Sequence, residues 1–357
     1  VDMEKCIACG LCAEKCPKKV DDIYNEKLIK RKAIYVPYPQ AVPLKYTIDA
    51  ENCIYLEKGK CGACEMYCPS GAINFNDTQK TLNLQVGSII LAPGFQTFDP
   101  VGLDNYPYAD LPDVVTSQEF ERILSATGPY SGHLMRPSSM HDKNQAGKAP
   151  QKIAWMQCVG SRDINRCDNG YCSSVCCMYA VKQAVMSQDH SATPLDCAVF
   201  YMDMRTQGKD FDRYTENARK NGVRFIPARI HTIDPIPGTE DLLLRYVDDD
   251  GRRHEETFDM AVLSTGLEVR RDTIQLSNTL GVALDKYHFT RTDSFHPVNT
   301  TVPGIYACGV FTGPKDIPQS VMEASAAACA ATENLSAARN TRTTEVKIPT
   351  QRDVSRE

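Results

Sequence analysis

Sixteen cysteines in 357 residues limit what this chain can become more than any other feature, because their gaps suit metal clusters. Disulfide frameworks belong to short secreted chains, and this one is long and shows no secretory leader. The first block is Cys6-Ile-Ala-Cys9-Gly-Leu-Cys12-Ala-Glu-Lys-Cys16-Pro17. The second, Cys53-x7-Cys61-Gly-Ala-Cys64-Glu-Met-Tyr-Cys68-Pro69, has the same close after a longer first gap. Three closely spaced cysteines on a tight turn reach three irons of one cube, and the fourth, turned away before a proline, reaches the other. Cys6, Cys9, Cys12 and Cys68 are therefore expected to hold one [4Fe–4S] cluster, and Cys53, Cys61, Cys64 and Cys16 a second.

This block resembles the bacterial-type two-cluster ferredoxins over roughly residues 2–75, and residues 1–80 are assigned to such a module. The seven-residue gap before Cys61 departs from that pattern. Zinc also takes four thiolates, but two crossed closes ending in Cys-Pro speak against it.

The remainder reads as a folded α/β body. Hydrophobic content of 42% and charged content of 24% describe a globular chain. A net charge of −5 gives no reason to expect nucleic acid. No apolar run approaches the ~20 residues of a membrane span, and a cytoplasmic setting is expected. The chain opens Val-Asp-Met-Glu-Lys, without an initiator methionine, which points to a fragment or a processed chain.

Three elements shape residues 81–340. Val86–Phe95 is a buried-strand run ending at Gly94, Phe258–Leu267 a second ending at Gly266, and Val302–Val310 a third that passes Gly309. The third continues through Gly313, Pro314, Lys315, Asp316 and Ile317 into an Ala-rich helix, Ser320–Asn334. Strand-like Lys152–Gln157, Cys197–Met202 and Val223–Ala228, with a helix at about 210–221, imply a doubly wound fold, with 150–255 as a second dinucleotide-type subdomain. The body resembles two-dinucleotide-domain flavoproteins of the thioredoxin reductase kind. That resemblance places FAD against Gly94, Gly266, Gly309 and the Pro314–Ile317 turn. The acidic residue usual after the last glycine is Val310 here, and Asp316 is the substitute. The opening strand and G-x-G-x-x-G that would clamp the FAD pyrophosphate are absent from these residues, so the missing half is expected upstream in a parent protein or on a partner. Residues 341–357 read as a linker.

The junction after strand 152–157 carries cysteines where a phosphate-binding glycine loop would stand. Cys172 and Cys176, four apart, share a helix face. Cys177 can reach in from the side and Cys158 from the strand end, with Cys167 competing as fourth ligand. Gln157-Cys158-Val-Gly-Ser-Arg-Asp163, Tyr171-Cys-Ser-x-x-Cys-Cys-Met-Tyr-Ala-x-Lys182-Gln183 and Gly313-Pro-Lys-Asp-Ile-Pro318 closely resemble the A subunits of the heterodisulfide reductases. The resemblance implies a third [4Fe–4S] cluster on Cys158, Cys172, Cys176 and Cys177. It also implies partner subunits, ferredoxin as an electron acceptor, and FAD dividing two electrons between a high-potential acceptor and low-potential ferredoxin. Lys182 is expected as the cation and Glu121 as the acid that tune the flavin, with Glu119 competing for the latter role. The alternatives are a non-bifurcating relay of the quinone-interacting type and a flavin-free scaffold. Cys197, Cys308 and Cys329 are expected to be buried small residues, Trp155 core, and Gly128–Ala149 with His141 an exposed connection.

Overall fold

A computed structural model describes residues 1–140 and 147–336. The chain divides into two compact units, residues 1–82 with 97–267 and residues 83–96 with 268–357. His141 and the 341–357 segment lie outside the described residues.

The first unit is built on a five-stranded sheet of β1 (Val114–Thr116), β2 (Lys152–Val159), β3 (Asp196–Phe200), β4 (Arg224–Ile226) and β5 (Met260–Thr265). All neighbours pair in parallel, in the order β4-β3-β2-β5-β1. Parallel strands are covered on both faces and need continuous apolar runs, and β2 is buried from Ile153 to Val159. Ile153 and Trp155 pack with Phe120 and Ile123 of α1 (Ser117–Leu124) and with Ala180, Val181 and Ala184 of α2 (Cys176–His190). Ala154 and Met156 face the other way, against Leu242, Leu244 and Phe258 of an antiparallel sheet, Ile233–Pro235, Leu242–Val247 and Arg253–Phe258. Trp155 is core as expected, and its buried indole N–H donates to Gln183 Oε1 at 3.2 Å.

Two details position the site. α1 begins in a capping box: Glu119 N–H donates to Thr116 Oγ1 at 3.2 Å, and Thr116 N–H to Glu119 Oε2 at 2.6 Å. β2 has β3 on one side, reached through α2, and β5 on the other. The carboxyl end of β2 is therefore the point where the winding reverses, the usual ligand position of such sheets.

The cysteine blocks of residues 1–82 form three short helices, of which Leu11–Lys15 and Ala63–Met66 are each entered through a left-handed glycine, Gly10 at φ 84° and Gly62 at φ 83°. Strands Lys19–Asp21 and Lys30–Lys32 pair antiparallel, as do Ile34–Tyr35 and Thr47–Ile48. Arg122 of α1 ties this part to the sheet: its Nε and Nη2 donate to Asn25 Oδ1 at 3.1 and 3.0 Å, and its guanidinium lies over Tyr24.

The second unit pairs Ile89–Leu91 in parallel with Ile305–Ala307 and carries the helix Arg271–Leu280 and α3 (Ile317–Asn334). α3 starts three residues earlier than its Ala-rich run because Asp316 caps it, accepting from Gln319 N–H at 2.9 Å, with a proline in the first turn.

Two expectations are corrected. Cys329 is exposed on α3, since only Ala327 and Ala331 of that helix are buried. The 128–149 stretch is no plain exposed connection. Tyr130 and Leu134 enter the core, and Arg136 is 2% exposed among carboxylates. Its Nε donates to Asp113 Oδ2 at 2.8 Å and its Nη1 to Asp241 Oδ1 at 2.7 Å. Charge in that stretch concealed a buried network, because an arginine reads as surface until its partners, far apart in sequence, are known. Arg136→Met leaves Asp113, itself 1% exposed, without its cation. Loss of one partner of a buried pair costs about 3–5 kcal/mol, so urea unfolding should shift by that amount.

Candidate metal centres and flavin site

The expected crossed sets of cysteines are brought together. One cavity is lined by Cys16, Cys53, Cys61 and Cys64, with Ile34, Ile54 and Phe75. Another is lined by Cys6, Cys9, Cys12 and Cys68, with Tyr46 and Ile73. The long gap after Cys53 folds into the helix Ile54–Lys58, closed by the left-handed Gly59, so the extra residues do not carry Cys53 away. Among the described residues no three donors close on a point that would hold a single metal ion. A cube asks instead for thiols spread round a cavity, and the two sets stand that way.

The thiols are tuned from close by. Burial pushes Cys12 and Cys64 up to about 11. Burial raises Cys68 too, but hydrogen bonds from the backbone of Ala72, at 3.3 Å, and from Ser70 outweigh it and leave the thiol below its ordinary value. The Lys45 ammonium donates to the Cys6 carbonyl and that of Lys32 to the Cys16 carbonyl, which fixes both turns.

The third set stands at the carboxyl end of β2. Cys158 adopts φ 63°, an uncommon left-handed value for a side chain, and Gly160 follows at φ 73°. This turn re-aims the chain so that Cys158 meets Cys176 and Cys177 in the first turn of α2 and Cys172 just before it. The four thiols act on one another. Burial pushes Cys176 up to about 12, with Cys158, Cys177 and Cys172 adding to the rise. Cys177 is pushed up to about 11 by burial, with Cys158 and Cys172 adding. Metal must therefore displace protons here. Cys167, at the end of the turn Ile164–Cys167, lines a cavity of about 270 Å³ together with Cys158, Gln157, Arg166 and Arg229.

Three charged residues surround this set: Arg162, within the Cys158–Asp163 motif but given no role by it, and Asp203 and Arg205, which no motif marks. Arg162 Nη1 lies 3.9 Å from Cys158 Sγ. Arg205 N–H donates to Cys177 Sγ at 3.4 Å, and Cys172 lies within electrostatic reach of its guanidinium. Asp203 pairs with both arginines. Residues 203–205 lie some thirty positions from the cysteines, so only the fold reveals them.

Gly266, expected against the flavin, is enclosed by this cysteine turn. Its N–H donates to the Val159 carbonyl at 2.8 Å. A Cβ there would meet Ser173 Oγ at 2.7 Å and the Gly160 oxygen at 3.1 Å. The pair expected to tune the flavin is also a pair in space. Lys182 Nζ donates to Glu121 Oε1, and Gln183 Nε2 to Glu121 Oε2 at 3.1 Å. Glu119, the competitor, is occupied by the helix cap and by Tyr108, whose hydroxyl donates to it at 2.8 Å.

In the second unit Gly94 stands at φ 77° with nothing within 4 Å of where a Cβ would be, and Gly309 at φ 71°. Gly94 offers bare backbone to a ligand. Lys315 is 9% exposed and pairs with Glu323, whose carboxylate also accepts from Gly309 N–H at 3.0 Å. Asp316 is the helix cap, so the acid at the glycine is Glu323, fourteen residues on and invisible to motif reading. Pro314 leads into the turn and Ile317 is exposed beyond it. Cys308 is buried among Val298, Tyr306, Ala327 and Ala331, as expected, and Cys197 is buried in β3.

Doubly wound sheet, glycine-turned second unit and paired cysteine cavities together define an iron–sulfur flavoprotein oxidoreductase. Residues 47–328 match the model of the pyridine nucleotide-disulphide oxidoreductases, and residues 5–72 that of the 4Fe-4S dicluster domain. The second of two iron-sulfur A subunits of the CoB--CoM heterodisulfide reductase in Methanopyrus kandleri is 42% identical over 342 residues, 94% of this chain and 50% of that protein. The iron-sulfur A subunit of the Methanocaldococcus jannaschii reductase is 40% identical over 92% of this chain and 49% of its own length. In Methanococcus maripaludis the A subunit of the H(2)/formate:CoB-CoM heterodisulfide,ferredoxin reductase is likewise 40% identical. Thioredoxin reductase of Lactococcus lactis is similar in structure at a TM-score of 0.44 and 16% identity, covering 85% of this chain and 86% of that one. At that score the likeness carries no weight of its own. The chain belongs to the pyridine nucleotide-disulphide oxidoreductase family and is similar to the heterodisulfide reductase A subunits. It spans about half the length of the curated relatives it matches. No helix among the described residues is long and apolar enough to cross a membrane.

Gly266→Ala must displace Ser173 or the Gly160 carbonyl. Overpacking of this kind costs about 1–3 kcal/mol, so denaturant unfolding should report that loss.

Proposed function

We propose that this chain is the electron-distributing part of a heterodisulfide-reductase-type complex, with three [4Fe–4S] clusters and FAD. In this reading FAD is the branch between a high-potential acceptor and low-potential ferredoxin. The observation that carries it is the grouping of twelve thiols in three sets of four, two around N-terminal cavities and one at the switch point of the sheet. That third set occupies the place where a dinucleotide pyrophosphate would lie, which favours electron traffic over nicotinamide chemistry.

Each cube supplies one-electron transfer, and FAD, when bound, exchanges between two-electron and one-electron chemistry. The chain's own part is to hold and tune these groups. Cys6, Cys9, Cys12 and Cys68 are assigned to one cube, Cys16, Cys53, Cys61 and Cys64 to the second, and Cys158, Cys172, Cys176 and Cys177 to the third. α1 supports a connected route: Arg122 grips the ferredoxin-like part through Asn25, and Glu121, one residue before it, pairs with Lys182 of the helix bearing Cys176 and Cys177. We assign to Lys182 and Glu121 the tuning of flavin electronics.

Gly94, Gly309 and the Pro314–Ile317 turn would hold FAD, through the open left-handed backbone at Gly94, the close approach that Gly309 allows without a side chain, and the amino end of α3. Two parallel strands and a helix with Val321 and Met322 more than half exposed are too little for a closed flavin layer. The rest of that layer is assigned to sequence outside these residues, in keeping with relatives about twice as long.

The assembled complex should reduce ferredoxin only while a second, high-potential acceptor is also being reduced, with the two products formed in equal electron number. Ferredoxin reduced equally well without that acceptor would contradict bifurcation and leave a single-route relay.

A further inference from the structure

We propose that Arg162 and Arg205, with Asp203 between them, set the reduction potential of the cluster on Cys158, Cys172, Cys176 and Cys177, and raise it. The proposal rests on the three-cluster reading above. Reduction adds one electron, makes and breaks no bond to the protein, needs no proton, and leaves the cube with its four thiolates one unit more negative. Cations beside the sulfurs stabilise that form over the oxidised one, and potentials of such clusters follow local charge and hydrogen bonds to sulfur.

The geometry gives each residue a separate part. Arg162 Nη1 approaches Cys158 Sγ at 3.9 Å, on a side chain only 21% exposed. Cys172 lies within electrostatic reach of the Arg205 guanidinium, while the Arg205 backbone N–H, which no side-chain change removes, donates to Cys177 Sγ at 3.4 Å. Asp203 pairs with Arg162 and, at 2.8 Å, with Arg205 Nε, and its own carbonyl faces Cys177 Sγ at 4.0 Å. It both holds the arginines at the thiols and cancels part of their charge. Its carboxylate is held by ion pairs to both guanidiniums. The balance is two cations against one anion at a single cube. Arg205 is 39% exposed and is screened more than Arg162.

The test is an anaerobic redox titration of the complex, followed by the paramagnetic signal of the reduced third cube, assigned as the one lost in Cys176→Ser. Arg162→Gln should lower its midpoint by about a tenfold change in the one-electron equilibrium, about 59 mV. Arg205→Gln should lower it less, and Asp203→Asn should raise it, while the two N-terminal cubes keep their potentials. Opposite signs for arginine and aspartate variants are what a merely structural role would not give. An unmoved potential in Arg162→Gln, or a shift of the same sign in Asp203→Asn, overturns the proposal. Should the arginine variants lose the cluster, the isosteric Asp203→Asn decides alone, and an unmoved potential there overturns it as well. If no cube signal depends on Cys176, the three-cluster reading itself has failed, which is a different result from a cube that is present and untuned.

Discussion

The crowding of four thiols, three of them buried, at the carboxyl end of β2 is the constraint on which the first unit's site depends. Burial raises Cys158, Cys176 and Cys177, and repulsion among the thiolates adds to the rise. A polycation in their midst would make the charged form favourable, which in the proposed three-cluster reading ties local order to metal. The left-handed Cys158, the close fit of Gly266, and the arginines at 162 and 205 all follow from bringing those sulfurs together. β2 and β5 supply the rigid floor through side chains that are fully buried on both faces.

Much of this was legible in the sequence because it rests on local spacing. The Cys-Pro closes specified the crossed N-terminal sets, and strand 152–157 appeared two residues short because Cys158 and Val159 continue it. The α/β alternation gave the sheet, and Ser-Gln-Glu-Phe-Glu-Arg-Ile-Leu gave α1. Spacing alone left Glu119 and Glu121 as rivals. Only the hydrogen bonds separate a helix-capping acid from one facing Lys182.

What stayed hidden depends on contacts between distant residues. Arg136 with Asp113, Asp241 and Asp259 looks like scattered surface charge until the chain folds, and so do Arg162, Asp203 and Arg205. Gly266 reads as a flavin-approach glycine by position in the chain, yet what it approaches is Ser173 and Gly160. Cys329 illustrates the converse error: an Ala-rich helix implies burial, but α3 buries only two of its alanines here. Asp316 was read for charge when its position, one residue before a helix, gives it a capping part, and Glu323 serves Gly309 from the far side of the first turns.

The most direct measurement is the iron content of the anaerobically purified chain. Three cubes of four irons predict about twelve iron atoms per chain. About eight would mean that the thiols at the end of β2 hold no cluster, and would contradict the claim that a metal site stands at the switch point of this sheet.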